Sequence, residues 1–262
     1  MRKLILTSFV ALFFVTLVVP AAFSDYIEKQ LTFGTEVNHS LDNNLNWSPD
    51  CQWIAYDTRA FSGGIGNTLT LEKVNINTKD IVVMYTAPNA LPLDAFGPGT
   101  AAVSFFPFSD RVIAIRGING VFYEGVARFG AMISPTDGSA GPEDYVIADA
   151  RDVTPPFTPG ALRGGTHRHE PTGDGKCIGF TYNDAIMKAA GNDLRTIGMT
   201  KLGIPVNVDA ALGNQNGVGF TVLIVKVQAK ATITPGSDAI YQGSRCEDRK
   251  STRLNSSHTI QS

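Results

Sequence analysis

Helical periodicity of any length is missing from these 262 residues, and so are most of the patterns that announce catalysis. No Gly-x-Ser-x-Gly elbow, phosphate loop or Cys–His nucleophile pattern occurs, which argues against a hydrolase domain. Cysteine is scarce: Cys51, Cys177 and Cys246 form no Cys-x-x-Cys pair, and an odd number cannot pair completely. Nothing therefore points to a disulfide scaffold, and buried free thiols are expected. Positive charge is short as well. With residues 1–24 and 248–262 set aside, 17 Lys and Arg stand against 23 Asp and Glu. Nucleic acid and anionic membrane both need a basic face, so neither is expected as a partner. Past residue 24 no segment is long and apolar enough to span a bilayer.

What is present begins with the two ends. Met1-Arg2-Lys3 leads into an uncharged apolar stretch to Val19, then Pro20 and the small-x-small exit Ala22-Phe23-Ser24. That is the layout of a secretory signal peptide at 1–24, with cleavage after Ser24 and a periplasmic or secreted product expected. The stretch is shorter than the ~20 residues a spanning helix needs. At the other end, residues 248–258 have no apolar periodicity and read, residue for residue, as one translated frame of a widely used sequencing-library adapter. Residues 248–262 are accordingly expected to be an artefactual tail, with the authentic protein continuing past about Glu247. The chain is 43% hydrophobic and 18% charged, ample for a packed core in the domain at 25–247.

Three segments of that domain share a pattern: residues 45–56, 103–115 and 167–180. Each has a short alternating stretch ending at a proline (Pro49, Pro107, Pro171), a polar turn with an aspartate (Asp50, Asp110, Asp174) and a second stretch anchored on isoleucine (Ile54, Ile113, Ile178). Proline ends a strand because it cannot donate to the ladder, and the Asp turn reverses the chain, so each segment reads as a hairpin. Residues 71–85 read as two strands around an Asn-Thr-Lys-Asp turn, and 194–202 and 219–227 as further strands. A β-sandwich also uses many short strands, but it does not require the same hairpin every sixty or so residues. The expectation is an all-β chain, a β-propeller truncated to about its first three blades. Three blades cannot close a ring, which agrees with a foreign tail.

Trp47-Ser48-Pro49-Asp50, followed by Gln52-Trp53-Ile54-Ala55, resembles the WD-like Trp-Ser-Pro-Asp-Gly repeat of TolB-like propellers, with Cys51 where glycine is usual. Gln30-Leu31-Thr32 resembles the phrase that precedes such a repeat. Residues 152–169 and 180–184 are similar to the YidR-like family of bacterial propellers, and the likeness runs over about 26–245. The resemblance implies architecture more than activity.

With the repeats aligned on their prolines, the positions four and two before are Leu45 and Trp47, then Val103 and Phe105, then His167 and His169. Period-2 spacing puts each pair on one face of its strand, near the central channel of a propeller. Two imidazoles so placed can share a divalent metal, Mn or Zn, with Glu170, Asp152 and Asp184 as oxygen ligands or supports. They can equally hydrogen-bond within a polar channel or blade interface. Arg163, beside Gly164 and Gly165, suits a ligand carboxylate, or ties two blades together. Two functions follow. Most TolB-like propellers act as platforms for partners, which implies an exported binding module for a protein or carbohydrate. Oligogalacturonate lyases, propellers of similar repeat type, hold a divalent metal on histidines. That likeness implies His167 and His169 as ligands and Arg163 as a substrate contact.

Overall fold

In the computed structural model the described residues are 28–59, 64–88 and 98–228, with 232–234, 237, 240, 242 and 243. Residues 1–24, expected to be a signal peptide, residues 248–262, expected to be an artefactual tail, and Cys246 lie outside them. The chain is all-β, as expected. Among the described residues twelve strands form three four-stranded antiparallel sheets, each built from strands consecutive in sequence. Sheet one holds β1 (Asn38–Ser40), β2 (Trp53–Arg59), β3 (Thr70–Asn75) and β4 (Ile81–Thr86). Sheet two holds β5 (Thr100–Phe105), β6 (Val112–Gly117), β7 (Arg128–Ile133) and β8 (Tyr145–Ile147). Sheet three holds β9 (Gly164–Pro171), β10 (Cys177–Asp184), β11 (Arg195–Val206) and β12 (Gly217–Leu223). Among the described residues the only α-helix is α1 (Ala185–Ala189).

The strand sequences explain the order of the sheets. Every residue of β5, β6 and β7 is buried, because β2 and β3 of sheet one and β9 of sheet three pack against sheet two. A strand covered on both faces needs a continuous apolar run, and Val112-Ile-Ala-Ile115 supplies one. Ala55, Leu71, Met84, Val103, Phe105 and Ile133 fill the space between sheets one and two. Phe106, Ile113, Met132, Ala148 and Ile178 fill the space between two and three. β11 instead alternates buried and half-buried residues from Arg195 to Thr200, as a strand with one solvated face does.

The three hairpins exist, but one alignment needs correction. Ser48 N donates to Trp53 O, Phe106 N to Arg111 O and Thr172 N to Cys177 O, at 2.9, 2.9 and 2.8 Å. These bonds match Ser48 with Phe106 and Thr172. Pro49 and Pro107 then coincide, whereas Pro171 matches Trp47 and Phe105, two residues earlier. Hydroxyl and carboxylate groups set the turn, not proline. Ser48 Oγ and Gln52 N donate to Asp50 Oδ1, and Trp53 N donates back to Ser48 Oγ. Thr172, Lys176, Asp174 and Cys177 repeat that circuit in sheet three. The hydroxyl bonds, then the backbone N–H groups, hold both carboxyls below their ordinary range. Asp110 faces elsewhere: it accepts from Thr136 and pairs with Lys73 at 3.7 Å.

The same match brings Cys51 onto Gly175, with φ values of 57° and 68°. Cys51 is exposed and Cys177 only partly covered, which corrects the expectation of buried thiols. A turn tip offers no core to bury in. A side chain in left-handed backbone costs about 1–2 kcal/mol, partly offset by the entropy a glycine loses. Cys51→Gly should therefore raise stability by about 0.5–1 kcal/mol in urea unfolding under reducing conditions. A lower midpoint would contradict this account of the turn.

Candidate functional site

β5 and β9, each the first strand of its sheet, are bulged at the same place. Ala102 and Arg168, four residues before the matched Phe106 and Thr172, both have φ of 54°. The pairing register shifts there, between Ala101 and Ser104 and opposite Gly179 and Thr181. A bulge inserts one residue and resets the alternation. His167 and His169 flank Arg168, so the period-2 rule that would place them together does not run through them.

Their surroundings differ accordingly. His169 is fully buried, with Nε2 2.9 Å from Thr166 Oγ1. Thr166 Oγ1 donates its one proton to Asp149 Oδ2 at 2.9 Å. His169 therefore donates through Nε2–H, leaving Nδ1 as a bare acceptor, buried without a partner. Gly130 N donates to Asp149 Oδ1 at 2.9 Å. A Cβ at Gly130 would lie 2.8 Å from the His169 ring, so only glycine fits beneath it. His167 has its Nε2 3.9 Å from Asp42 Oδ2, and its buried Nδ1 also lacks a partner.

Burial dominates the electrostatics. Burial, then the nearby Arg128, pushes His169 down to about 3. Burial, then the charges of Arg128, His169, Arg195 and Arg168, pushes His167 down to about 2. Both imidazoles are neutral at neutral pH. Burial raises Asp149 to about 6 despite the bonds it accepts from Gly130 and Thr166.

The other sequence candidates have structural partners. Glu170 Oε1 accepts Asn44 N across the sheets at 2.9 Å. Asp152 organises its own loop, accepting from the backbone and hydroxyls of Thr154 and Thr158. Burial pushes its carboxyl up, but those bonds outweigh burial and hold it below the ordinary range. The structure brings Arg163 and Asp184 together at 2.6 Å, the guanidinium lying 5.1 Å from the Phe157 ring centroid. Asp184 also accepts from Tyr182 Oη and caps α1 through Met187 N. Arg163 thus has its carboxylate from within its own sheet. Among the described residues no three His, Cys, Asp or Glu groups gather as a metal set.

Sequence reasoning passed over Asn43, Arg128 and Asp149. The last two had a visible signal, since Arg128 is a charge inside, and Asp149 a charge at the end of, an apolar strand-like run, Val-Ala-Arg128-Phe and Val-Ile-Ala-Asp149. Asn43 sits in a polar stretch and had none.

A family model described as a protein of unknown function (DUF3748) matches residues 99–214. The chain is 34% identical over 228 residues to the uncharacterized protein YidR of Escherichia coli (strain K12). That match takes in 84% of the chain and 51% of YidR, so the chain spans about half the length of this relative. The chain is thus similar to a family of unknown function over residues 99–214 and to an uncharacterized protein over most of its own length.

The buried groups oppose one another in pH. The imidazoles sit below their ordinary 6.5, so their stabilisation is present above 6.5 and lost as the pH falls toward 3. Asp149 sits above its ordinary 3.8, so its contribution is present below 3.8 and lost as the pH rises through about 6. Between pH 4 and 6 the two imidazoles outweigh Asp149, so the joint contribution of these three groups should climb with pH, by on the order of 1 kcal/mol per unit. In Asp149→Asn the slope should be steeper, roughly double, with a gain above pH 6. Urea unfolding at three pH values reads both slopes, and equal slopes would contradict the assignment.

Proposed function

We propose that this chain is part of an exported YidR-like β-propeller of TolB-like architecture, its three sheets serving as the first three blades. In this reading it is a binding or interaction module for a protein or carbohydrate ligand. One observation carries it. Three four-stranded meanders follow one another in sequence, each with a turn closed by the same backbone bond, from residue i to residue i+5, between its first two strands. Repetition of one unit around a shared inner side is how propellers present ligands. The YidR match, extending over half of that protein, leaves room for further blades there.

A second reading is a metal-dependent lyase of the oligogalacturonate type. Its support is specific: His167 and His169 each keep a buried Nδ1 without a partner, a nitrogen that can ligate a cation when it carries no proton. The described residues supply these two imidazoles and no third ligand, so the remaining ligands would come from outside them.

Incubating the full-length protein with oligogalacturonate and Mn²⁺ separates the two. The module reading expects no unsaturated uronate, measured by its ultraviolet absorbance, and turnover would overturn it. For the metal, the His167→Ala/His169→Ala double variant should lose stoichiometric Mn²⁺ or Zn²⁺ in elemental analysis. Metal content equal to wild type would remove that site. Export is checked by amino-terminal sequencing of the periplasmic protein, expected to begin at Asp25.

A further inference from the structure

The described chain buries three arginines, and two of them are fully satisfied. Arg116 donates from Nε to Tyr85 Oη, from Nη1 to Gly117 O and from Nη2 to Asn119 Oδ1, at 2.9–3.1 Å, and has Glu143 at 3.6 Å. Arg151 donates from Nε, Nη1 and Nη2 to the carbonyls of Gly164, Gly213 and Val126. Arg128 is only 6% exposed yet has one hydrogen bond, from Nη1 to Tyr123 Oη at 3.3 Å. Its Nε is buried without a partner, and no carboxylate lies within ion-pair distance among the described residues. A buried cation normally carries its counter-charge.

The surroundings are shaped around that side chain. A Cβ at Gly165 would lie 3.0 Å from Arg128 Cγ and 2.4 Å from Gly125 O, so glycine lets the arginine stem cross β9. His167 stands two residues along in a stretch that pairs regularly, Gly165 with Asn183 and His167 with Thr181. It therefore projects on the side that Arg128 crosses. Its Nδ1 is the second buried polar atom here without a partner. Arg195, paired with Asn183 across the ladder, and Arg168 add positive potential. The local acids are already engaged: Asp42 with Arg59 and Arg168 at 3.2 Å each, Asp193 with Asn183 at 2.7 Å.

We propose that the Nε–Nη2 edge of Arg128, with His167 beside it, binds the carboxylate of a small organic acid. The inference rests on the reading of the chain as a ligand-binding module and names the chemistry of its ligand. A guanidinium edge presents two parallel N–H donors that match the two oxygens of a planar carboxylate. Neutral His167 can donate a further hydrogen bond without adding charge. Arg128 and His167 are only 6% and 9% exposed, so a ligand must reach them with a small planar group, and Asp42 nearby disfavours a dianion such as phosphate.

Thermal unfolding of the purified chain tests this, with sodium acetate, sodium glucuronate or sodium phosphate set against sodium chloride of equal ionic strength. Acetate and glucuronate should raise the midpoint in step with the logarithm of their concentration. Arg128→Met keeps an apolar stem over Gly165 and removes a buried unpaired charge. Its unliganded midpoint should equal or exceed that of wild type, and the carboxylate response should vanish. Arg128→Lys keeps the charge without the fork, so its response should be weaker, and it carries the test if the methionine variant fails to fold. Equal responses in wild type and both variants would overturn the site. So would a larger response to phosphate. An unresponsive wild type, as when the chain supplies the carboxylate itself, would also overturn it while leaving the module reading to the uronate assay.

Discussion

The Asn43 carboxamide is the point at which the three sheets meet. Its Nδ2 donates to Ala102 O at 2.7 Å and Ser104 Oγ at 2.8 Å in sheet two, and to His169 O at 3.3 Å in sheet three. Asn43 itself lies in the stretch between β1 and β2. The constraint behind this is backbone satisfaction. A bulge in β5 and another in β9 free amide and carbonyl groups that a regular ladder would pair, and buried groups of that kind need partners. Residues 43–46 provide them. Phe105 N donates to Leu45 O at 2.7 Å, Asn46 Nδ2 reaches Ala55 O and Val103 O, and Asn44 N reaches Glu170. Asp57 completes the seam by accepting Ala102 N.

Around that seam the charged side chains divide by how fully they are answered. Arg116 and Arg151 act as struts, their donors capped by carbonyls and neutral oxygens from neighbouring strands and loops. Asp42 bridges Arg59 of sheet one and Arg168 of sheet three. Such groups fix geometry and have little left to offer a ligand. Among the basic side chains Arg128 of β7 and His167 and His169 of β9 retain buried atoms without partners, as do the side-chain oxygens of Asn43 and Gln215.

Much of the architecture was legible in the sequence because turn chemistry is local. Asn75 Oδ1 accepts from Asn77 N and Thr78 N, which is why residues 71–85 read correctly as two strands around a polar turn. The place of Cys51 in a glycine position was legible for the same reason. Proline was the weaker guide, since Pro171 ends β9 without opening the turn. The site was less legible. Positive φ at Arg168, a residue that rarely adopts it, leaves no mark in composition, so the two histidines looked like neighbours on one face. Asp152, Arg163, Asp184 and Glu170 were visible as charges, but their partners depend on long-range packing. Asn43 reaches 126 residues along the chain to His169, beyond any window of periodicity.

That span also bears on how the chain comes into being. Synthesis at roughly 5–20 residues per second puts about 6–25 s between the appearance of Asn43 and of His169. Through that interval the first sheet can pair its own strands, whose contacts are close in sequence, while residues 43–46 wait for the third. The emerging polypeptide is therefore assembled as hairpins that form early and a junction that forms late. Its vulnerability to proteases and to pairing with other chains is concentrated in the delay between the two.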